Sequence, residues 1–365
     1  IVSDLKVYGI ENITEVINFF DEKVDLEPTI IDTRAEFYKN LDNPEFDFAD
    51  VKGQESVKRS MEIAAAGGHN IILVGPPGSG KTMLSKRLPS ILPPMTLQEA
   101  LETTKIHSVV GKIKESGLMC QRPFRSPHHT ISDVALVGGG QYPQPGEISL
   151  SHNGVLFLDE LPEFKRTVLE VMRQPLEDRE VTISRARFTV TYPSSFMLVA
   201  SMNPSPSGYF NDPNAPVTSS PAEMQRYLSK ISGPLLDRID IHIEVNPVPF
   251  EKLSEEQLAE PSKIIRERVT KAREKQSERF LEIENLHYNA QMSVKQIRKF
   301  CKLSEESKTL LKNAMERLNL SARAYDRILK VARTIADLEG IESISSNHIA
   351  EAIQYRSLDR EGWLG

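Results

Sequence analysis

The sequence predicts an α/β fold in which a parallel sheet flanked by helices is followed by an all-helical domain. Short apolar segments at 70–74, 154–158, 196–202 and 239–245 alternate with helical or turn-rich stretches, as buried parallel strands do. A glycine-rich loop follows the first segment and leads directly into a helical pattern, as at the start of an α/β unit. After Pro249 the strand signals stop and helical periodicity continues alone.

Length and composition are those of a globular protein with two or three domains. The chain has 365 residues, of which 39% are hydrophobic and 26% are charged. Its apolar runs are far shorter than the roughly 20 residues that a membrane-spanning helix needs, so we expect no membrane partner. Two cysteines, Cys120 and Cys301, are too few for a disulfide framework or a four-thiolate metal site. We therefore expect a cytoplasmic protein.

Negative charge is concentrated at one end of the chain. The net charge is −6, but residues 1–50 contain 13 Asp and Glu against 4 Lys and Arg, and residues 51–365 contain 38 against 41. Because the larger part is mildly basic, the overall acidity does not exclude a nucleic-acid partner. Residues 1–48 have the pattern of an acidic amphipathic stretch and a linker, and since the chain begins at Ile1 we expect them to end an upstream domain.

Local patterns predict a β-hairpin within the α/β domain and the helices behind it. Segments 180–184 and 187–191 alternate with period two around Arg185 and Ala186, which predicts a hairpin with a basic tip. Serines of the helix-capping type precede most of the C-terminal helical segments. The predicted helices are 259–284, 293–301, 304–319, 321–338 and 345–356, with caps at Ser293, Ser304, Ser321 and Ser345 or Ser346.

The glycine-rich loop carries the strongest chemical signal. It fits G-x-x-x-x-G-K-[ST] between a predicted strand and a predicted helix, which is the context that a phosphate-binding loop requires. Its backbone N–H groups would surround phosphates, Lys81 would reach the β- and γ-phosphates, and the Thr82 hydroxyl would ligate Mg²⁺. We therefore expect ATP and Mg²⁺ to bind here. The loop consists of Gly75, Pro76, Pro77, Gly78, Ser79, Gly80, Lys81 and Thr82.

Polar residues at the ends of two later strands supply other parts of a hydrolytic site. Asp159 and Glu160 end strand 154–158, where Asp159 would hold Mg²⁺ through water and Glu160 would polarise the attacking water. Taken alone, this pair is equally consistent with a helix N-cap. Asn203 follows strand 196–202 and would contact the γ-phosphate or the water, the alternative being an Asn-Pro turn.

Arg238 lies just before the last predicted strand. It could reach the nucleotide of a neighbouring subunit as a trans-acting finger, a contribution that greatly increases the rate where such fingers are known. The alternative is a local salt bridge with Asp237 or Asp240, which the residues alone favour.

The order of these parts resembles that of the AAA+ ATPases, and within them the Mg-chelatase-like ComM/YifB family. The resemblance covers nearly all of residues 49–357 and includes Pro-Phe-Arg-Ser-Pro-His-His-Thr at 123–130. In that phrase His128 and His129 lack metal-ligand spacing and are interpreted as loop-ordering or packing residues. The segments that carry the resemblance are 123–130, 136–140, 145–164, 173–177, 233–240 and 321–338.

The resemblance implies a hexameric or similar ring of P-loop NTPase subunits. In such a ring Asn203 would be sensor 1, Arg238 the arginine finger and Arg323 the sensor 2 residue of the lid. The insertion near 136–146 and the 181–191 hairpin would be loops directed into the ring pore. Two arginines of the hairpin, Arg185 and Arg187, would then suit contacts to DNA phosphates, although such arginines can also be merely solubilising.

The same resemblance implies a division of the chain into three parts. Residues 1–48 would be the remnant of an upstream Lon-like domain with a linker. Residues 49–250 would form the AAA+ ATPase core with its β-hairpin insertions, and residues 251–365 the helical lid domain.

One loop departs from the family pattern. Relatives typically carry Asn-Pro-Cys-Pro-Cys-Gly after the Asn strand and two further cysteines beyond it, a set suited to zinc. Here Ser205 and Ser207 stand at the first two positions, and Val217 and Ser219 at the later ones. Because serine and valine do not replace thiolates on zinc, we expect no zinc at this loop.

Three functions remain open for such a ring. ComM-type relatives are associated with branch migration of DNA during natural transformation, which suggests a DNA translocase or branch-migration helicase. The name Mg-chelatase-like suggests an ATPase subunit of a metal-insertion complex, and the Lon-like upstream domain suggests a protein-remodelling ATPase. The lid and the phrase at 123–130 match the ComM type better, so an ATP-hydrolysing ring that acts on DNA is the favoured prediction.

Overall fold

An α/β domain and a helical domain follow each other along the chain. The computed structural model describes residues 6–28, 46–111, 113, 117–185, 188–208, 219–249, 252, 259–356 and 358. In that part of the chain no helix has the length and apolar character needed to cross a bilayer.

Helices and strands are interspersed up to residue 244, and the described part of the chain beyond it forms helices and no strand. The strands are β1 (Ile71–Val74), β2 (Phe124–Arg125), β3 (Gly138–Gly139), β4 (Gln144–Pro145), β5 (Val155–Leu158), β6 (Glu180–Ser184), β7 (Thr189–Pro193), β8 (Met197–Met202) and β9 (Ile241–Glu244). The helices are α1 (Ile13–Phe20), α2 (Glu55–Gly67), α3 (Lys81–Ile91), α4 (Leu97–Val109), α5 (Asp133–Val137), α6 (Glu147–Leu150), α7 (Arg166–Glu170), α8 (Arg173–Asp178), α9 (Pro221–Ser229), α10 (Gly233–Leu236), α11 (Ser262–Phe280), α12 (Val294–Phe300), α13 (Glu305–Arg317), α14 (Ala322–Leu338) and α15 (Ser346–Gln354).

The central sheet is parallel, which confirms the predicted fold class. Its described strands lie in the order β2-β5-β8-β1-β9. Ile71 is in register with Val199 on one side and with Ile241 on the other. Because the strands run in the same direction, the carboxyl ends of β1, β5 and β8 meet at one edge of the sheet. The phosphate loop, the Asp-Glu pair and the Asn-Pro segment follow these three ends.

Both faces of the sheet are buried. Alternate residues of a strand point to opposite faces, so Leu73 and Val199 join a core shared with α2, α3 and the helical domain. Ile72 and Leu198 pack on the other face, against the segments around the hairpin and α10. This double burial explains why the strands are continuous apolar runs with no polar alternation.

Two short ribbons project from the α/β domain. β6 and β7 form the predicted hairpin, but β7 covers Thr189–Pro193 where 187–191 was expected. The shift arises because Arg185 and Phe188 exchange backbone hydrogen bonds of 2.7 and 3.3 Å, so these residues close the turn. β3 and β4 pair as a second, smaller ribbon.

The helical domain confirms the predicted series of C-terminal helices, each within a few residues of its expected bounds. Ser304, Ser321 and Ser345 each accept a hydrogen bond from the backbone N–H three residues further on, as helix caps do. α11 is shorter than the predicted 259–284 and begins after Pro261, which occupies its N-cap position.

Candidate nucleotide site

The loop after β1 has the backbone of a phosphate cradle. Gly78 and Gly80 have φ values of +79° and +90°, in the left-handed region that side chains disfavour. A Cβ on Gly75 would lie 2.2 Å from the Val245 carbonyl oxygen, so this position admits only glycine. A Cβ on Gly78 would meet no described atom within 4 Å, which leaves the front of the loop open.

Lys81 links this loop to the end of β8. Its Nζ donates to the carbonyl oxygens of Gly75 (2.6 Å) and Pro76 (2.9 Å) and to Oδ1 of Asn203 (3.2 Å). Burial lowers the pKa of Lys81, and the nearby Asp159 carboxylate opposes this effect in part. The ammonium group is therefore held at the edge of the sheet where phosphates would approach.

Thr82 and Asp159 face each other across the ends of β1 and β5. The Thr82 hydroxyl donates to Oδ2 of Asp159 at 2.8 Å. The other carboxylate oxygen, Oδ1, accepts from the Ser201 hydroxyl and from the Glu160 backbone N–H. The two residues expected at a magnesium ion are thus in contact with each other, and Ser201 fixes the orientation of the carboxylate.

Glu160 has a left-handed backbone, with a φ of +54°. It occupies the N-cap position of the 3₁₀ turn Leu161–Glu163, but its side chain makes no capping bond there. The Glu160 side chain therefore does not act as a helix cap, although the residue occupies the cap position. Its Oε2 instead lies 3.3 Å from Nδ1 of His129.

His129 is a residue of this site that the sequence interpretation missed. It had been interpreted together with His128 as a loop-ordering or packing residue. β2 lies beside β5 in the sheet, so the segment that follows β2 reaches the Asp-Glu pair that follows β5. Recognising residues 124–125 as a strand could have revealed the contact, but a two-residue strand has no periodicity to detect.

Arg238 lies at the opposite edge of the sheet. Its carbonyl oxygen accepts from Nδ2 of Asn70 at 2.9 Å, and the Asp240 backbone N–H donates to the Asn70 carbonyl oxygen at 3.0 Å. Asn70 precedes β1, so Arg238 is near the amino ends of β1 and β9. Lys81 lies beyond their carboxyl ends. The two ends of the four-residue strand β1 are separated by about 13 Å.

The ion pairs at this edge differ from the expected ones. The Arg238 guanidinium donates to Glu177 of α8 and to the Pro234 carbonyl oxygen. The alternative of a salt bridge with Asp237 or Asp240 is therefore wrong for Arg238. Asp237 instead pairs with Arg323 of α14, which brings the lid arginine close to Arg238 and to the same edge.

The tips of the two ribbons lie side by side. The rings of Tyr142, between β3 and β4, and Phe188, before β7, have centroids 6.4 Å apart. These side chains are 68% and 47% exposed, and Arg185 beside them is exposed as well. Tyr192 Oη donates to the Pro143 carbonyl oxygen at 2.9 Å and so joins the ribbons. Arg187 lies outside the described residues.

Serine hydroxyls gather where relatives have cysteines. Ser205 Oγ lies 2.9 Å from Ser207 Oγ, and Ser219 Oγ lies 3.2 Å from Ser207 Oγ. Val217 falls outside the described residues. Across the described ranges, His, Cys, Asp and Glu form no group of three that could hold a metal ion.

The strand order and the phosphate loop opposite the Asp-Glu pair define an AAA+ core followed by a helical domain. Comparison with known proteins narrows this class. The family model described as magnesium chelatase, subunit ChlI, matches residues 47–253, and the one described as its C-terminal part matches residues 259–356. The chain belongs to the Mg-chelatase-like ComM/YifB family of AAA+ proteins.

Two relatives illustrate this membership. The chain is 46% identical to competence protein ComM of Haemophilus influenzae over 363 residues, which cover 99% of this chain and 70% of the relative. It is 48% identical to the uncharacterized protein YifB of Escherichia coli over 315 residues, which cover 86% of this chain and 61% of that protein. A more distant relative is magnesium-chelatase subunit ChlI of Euglena gracilis, at 23% identity over 46% of this chain and 55% of the relative.

Proposed function

We propose that this protein is an ATP-hydrolysing ring motor that acts on DNA in the cytoplasm. One observation carries the ATPase: three strand ends converge at one edge of the sheet. There Lys81 contacts Asn203. At the same edge Thr82 contacts Asp159. Such a set combines a phosphate-binding cation, a metal-binding pair and a polar sensor, which phosphoryl transfer requires.

The residues at this edge fit ATP with Mg²⁺. The Thr82 hydroxyl and the Asp159 carboxylate are in contact at 2.8 Å, so Thr82 would ligate Mg²⁺ and Asp159 would hold the same ion through water. When bound, Mg²⁺ neutralises charge on the phosphates. Lys81 exchanges its carbonyl partners for phosphate oxygens, and the open front of the loop at Gly78 admits them. Glu160 orients the attacking water, and Asn203 contacts the water or the γ-phosphate.

The separation of the two edges supports self-association into a ring. Arg238 and Arg323 lie near the amino-terminal edge of the sheet, while their own phosphate loop lies at the carboxyl edge. In a ring that repeats head to tail, this edge faces the carboxyl edge of the neighbour. Arg238 and Arg323 then act together on the ATP held by the neighbour's Lys81.

The ribbon tips support DNA as the substrate. Two exposed aromatic rings beside an exposed arginine form the kind of surface on which unpaired bases stack while a cation contacts the phosphates. The relative from Haemophilus influenzae is named for competence, and we extend this association with DNA to the present chain.

Replacing Glu160 tests the ATPase. We expect Glu160→Gln to bind ATP and assemble as the wild type does, while turnover falls by about 10²- to 10⁴-fold, the usual contribution of a general base. Steady-state phosphate release and equilibrium nucleotide binding measure the two properties. Unchanged turnover would overturn the role of Glu160.

ATPase stimulation separates the substrate classes. We expect single-stranded or branched DNA to increase turnover, with a half-stimulating concentration that rises steeply with salt. Tyr142→Ala and Phe188→Ala should each raise that concentration by about 10-fold, since stacking on one ring contributes about 1–3 kcal/mol per base. Phe20→Ala, which removes an exposed ring on α1, is the matched control. Stimulation by an unfolded polypeptide and not by DNA would favour the protein-remodelling alternative.

A further inference from the structure

One face of α12, in the helical domain, is basic and exposed to solvent. Ile297 and Cys301, four residues apart, are buried and determine which face of the helix points inward. Segment 294–302 contains four Lys and Arg and no Asp or Glu, although the chain as a whole is acidic. All four cations are exposed: Lys295, Arg298, Lys299 and Lys302.

These four cations form no ion pair or hydrogen bond with a side chain in the part of the chain that the structure describes. The next helix, α13, has the opposite arrangement. Lys308 pairs with Glu305 at 2.6 Å, and Lys312 pairs with Glu316 at 3.9 Å. With three Lys and Arg against three Glu, α13 balances its charge on its own surface, whereas α12 does not.

The arrangement on α12 opposes helix stability. Lys295 is three residues from Arg298 and four from Lys299, and like charges at these spacings repel each other. The helix dipole favours Arg298 and Lys299 in the last turn, but it disfavours Lys295 in the first turn. A face that only keeps the protein soluble can carry mixed charges, as α13 does. The unmixed charge of α12 therefore indicates an anionic partner.

The helix that carries these cations is fixed to the rest of its domain. Ile297 and Cys301 belong to the main hydrophobic core. The Phe300 ring packs edge-on against Phe280 of α11, with centroids 5.6 Å apart. The Lys299 ammonium group lies 5.0 Å from the centroid of the Phe300 ring, so its aliphatic stem is supported as well. Cations on such a rigid element lose less conformational freedom on binding than cations on a flexible one.

The phosphate backbone of duplex DNA fits this surface. From Lys295 to Lys302 the chain advances about 10 Å, at about 1.5 Å per helical residue. Duplex DNA carries one negative charge about every 1.7 Å along its axis, so several phosphates lie within reach of the four cations. The aromatic residue of α12, Phe300, is partly buried against Phe280 and is not available for stacking on bases. The chemistry of this face is therefore suited to phosphates and not to unpaired bases.

We propose that the exposed face of α12, together with Lys302, binds the phosphate backbone of duplex DNA without regard to its sequence. This inference rests on the proposed action on DNA and deepens it. It gives the duplex arm of a branched DNA a contact on the helical domain, while the ribbon tips of the α/β domain contact unpaired bases.

Removing two of these cations tests the proposal. We expect the full chain with Lys295→Gln and Lys299→Gln to bind a labelled duplex about 10-fold more weakly than the wild type near 0.1 M salt. The slope of log affinity against log salt should become shallower by about 2, since each phosphate contact contributes about 0.9. Fluorescence anisotropy of the duplex, recorded without nucleotide over a salt series, measures both quantities.

A matched control comes from the neighbouring helix. Lys308→Gln with Lys312→Gln removes the same charge from α13, where both lysines already have acidic partners, and should leave affinity and slope nearly unchanged. Because glutamine and lysine have similar helix propensities, urea unfolding and basal ATP turnover should match the wild type in both double variants.

Three results would overturn the α12 surface: no binding of the duplex by the wild type, a wild-type salt slope in the α12 double variant, or equal losses in the two double variants. Loss of binding to polyglutamate but not to the duplex would also overturn it, in favour of an acidic protein partner.

DNA-stimulated ATP turnover separates this inference from the proposed function. If the duplex binds through α12 but no DNA increases turnover, the α12 surface stands and the DNA motor is wrong. If DNA increases turnover while the α12 double variant binds the duplex as the wild type does, the motor stands and the α12 surface is wrong.

Discussion

Arg238 illustrates how much a single residue depends on its partner. Its guanidinium lies on Glu177, the penultimate residue of α8, which leads within three residues into β6. In the proposed ring the guanidinium has to exchange this carboxylate for a phosphate of the neighbouring subunit. The Glu177–Arg238 pair therefore opposes binding of Arg238 to the neighbour's phosphate. It also connects Arg238 to the base of the β6–β7 hairpin.

Glu177→Gln weakens this pair and should increase ATP turnover by the assembled ring. Because the Glu177 side chain is mostly exposed, although Arg238 is largely buried, we expect the pair to contribute about 1 kcal/mol and turnover to increase by up to about 5-fold. Steady-state ATPase at saturating protein concentration measures it, with Glu180→Gln on exposed β6 as the control. A decrease in turnover would mean that Glu177 holds Arg238 in its productive position.

At the scale of single residues, the sequence predicted those site residues that follow a strand within a recognisable motif. Lys81 and Asp159 belong to such motifs, and the parallel sheet then brings them together. The contacts of Glu177 and His129 could not be predicted, because each joins segments that are far apart in the sequence. The sequence correctly predicted that Arg238 precedes a strand. Its partner Glu177 could not be predicted, because it depends on how α8 packs.

The ribbons show what local pattern can and cannot determine at the scale of elements. Alternation predicted the β6–β7 hairpin, while its turn was displaced because Arg185 and Phe188 close it by backbone hydrogen bonds that the pattern does not report. The β3–β4 ribbon has two residues per strand and no periodicity. The position of this ribbon depends instead on close packing of the Gly146 backbone against the backbone of residues 136–138.

Gly146→Ala should disrupt the smaller ribbon. A Cβ at Gly146 would lie 2.4 Å from the Gly138 backbone nitrogen and 2.4 Å from the Leu136 carbonyl oxygen, and backbone atoms cannot move aside cheaply. We expect a loss of about 1–3 kcal/mol of unfolding free energy, as for other overpacked sites, together with weaker stimulation by DNA. Gly233→Ala, where a Cβ meets nothing within 4 Å, is the control in urea unfolding and should be neutral or stabilising. Equal stability of the two variants would contradict this account.

At the scale of the whole molecule, α14 ties the helical domain to the amino-terminal edge of the sheet. Arg327 forms an ion pair of 2.9 Å with Asp240, which also contacts Nδ1 of the buried His69 at 2.9 Å. The other ring nitrogen of His69 lies 2.8 Å from the Thr334 hydroxyl of α14. Burial lowers the pKa of His69, and the hydrogen bond to the Asp240 carboxylate offsets this effect only in part. The ring is therefore held neutral between the two domains.

Asp240 is the charged centre of this junction. Burial alone would raise the pKa of its carboxyl group, but Arg327 and the hydrogen bond from His69 outweigh that effect and hold the pKa below its usual range. Because the carboxylate is favoured in the folded state, its stabilising contribution is complete above the ordinary Asp pKa of about 3.9 and is lost as the pH falls below it.

Asp240→Asn should therefore destabilise the protein by about 3 kcal/mol, since it removes the buried carboxylate that pairs with Arg327 and with His69. Urea unfolding followed by circular dichroism should give the same difference from wild type at pH 8 and at pH 5, because both lie above the unfolded pKa of the carboxyl group. Asp237→Asn removes the half-exposed partner of Arg323 and should cost less than about 1 kcal/mol. If Asp240→Asn cost no more than this control, the two domains would have to be joined by apolar packing between α2, α11 and α14, and the lid could not transmit its position to Arg238 through charge.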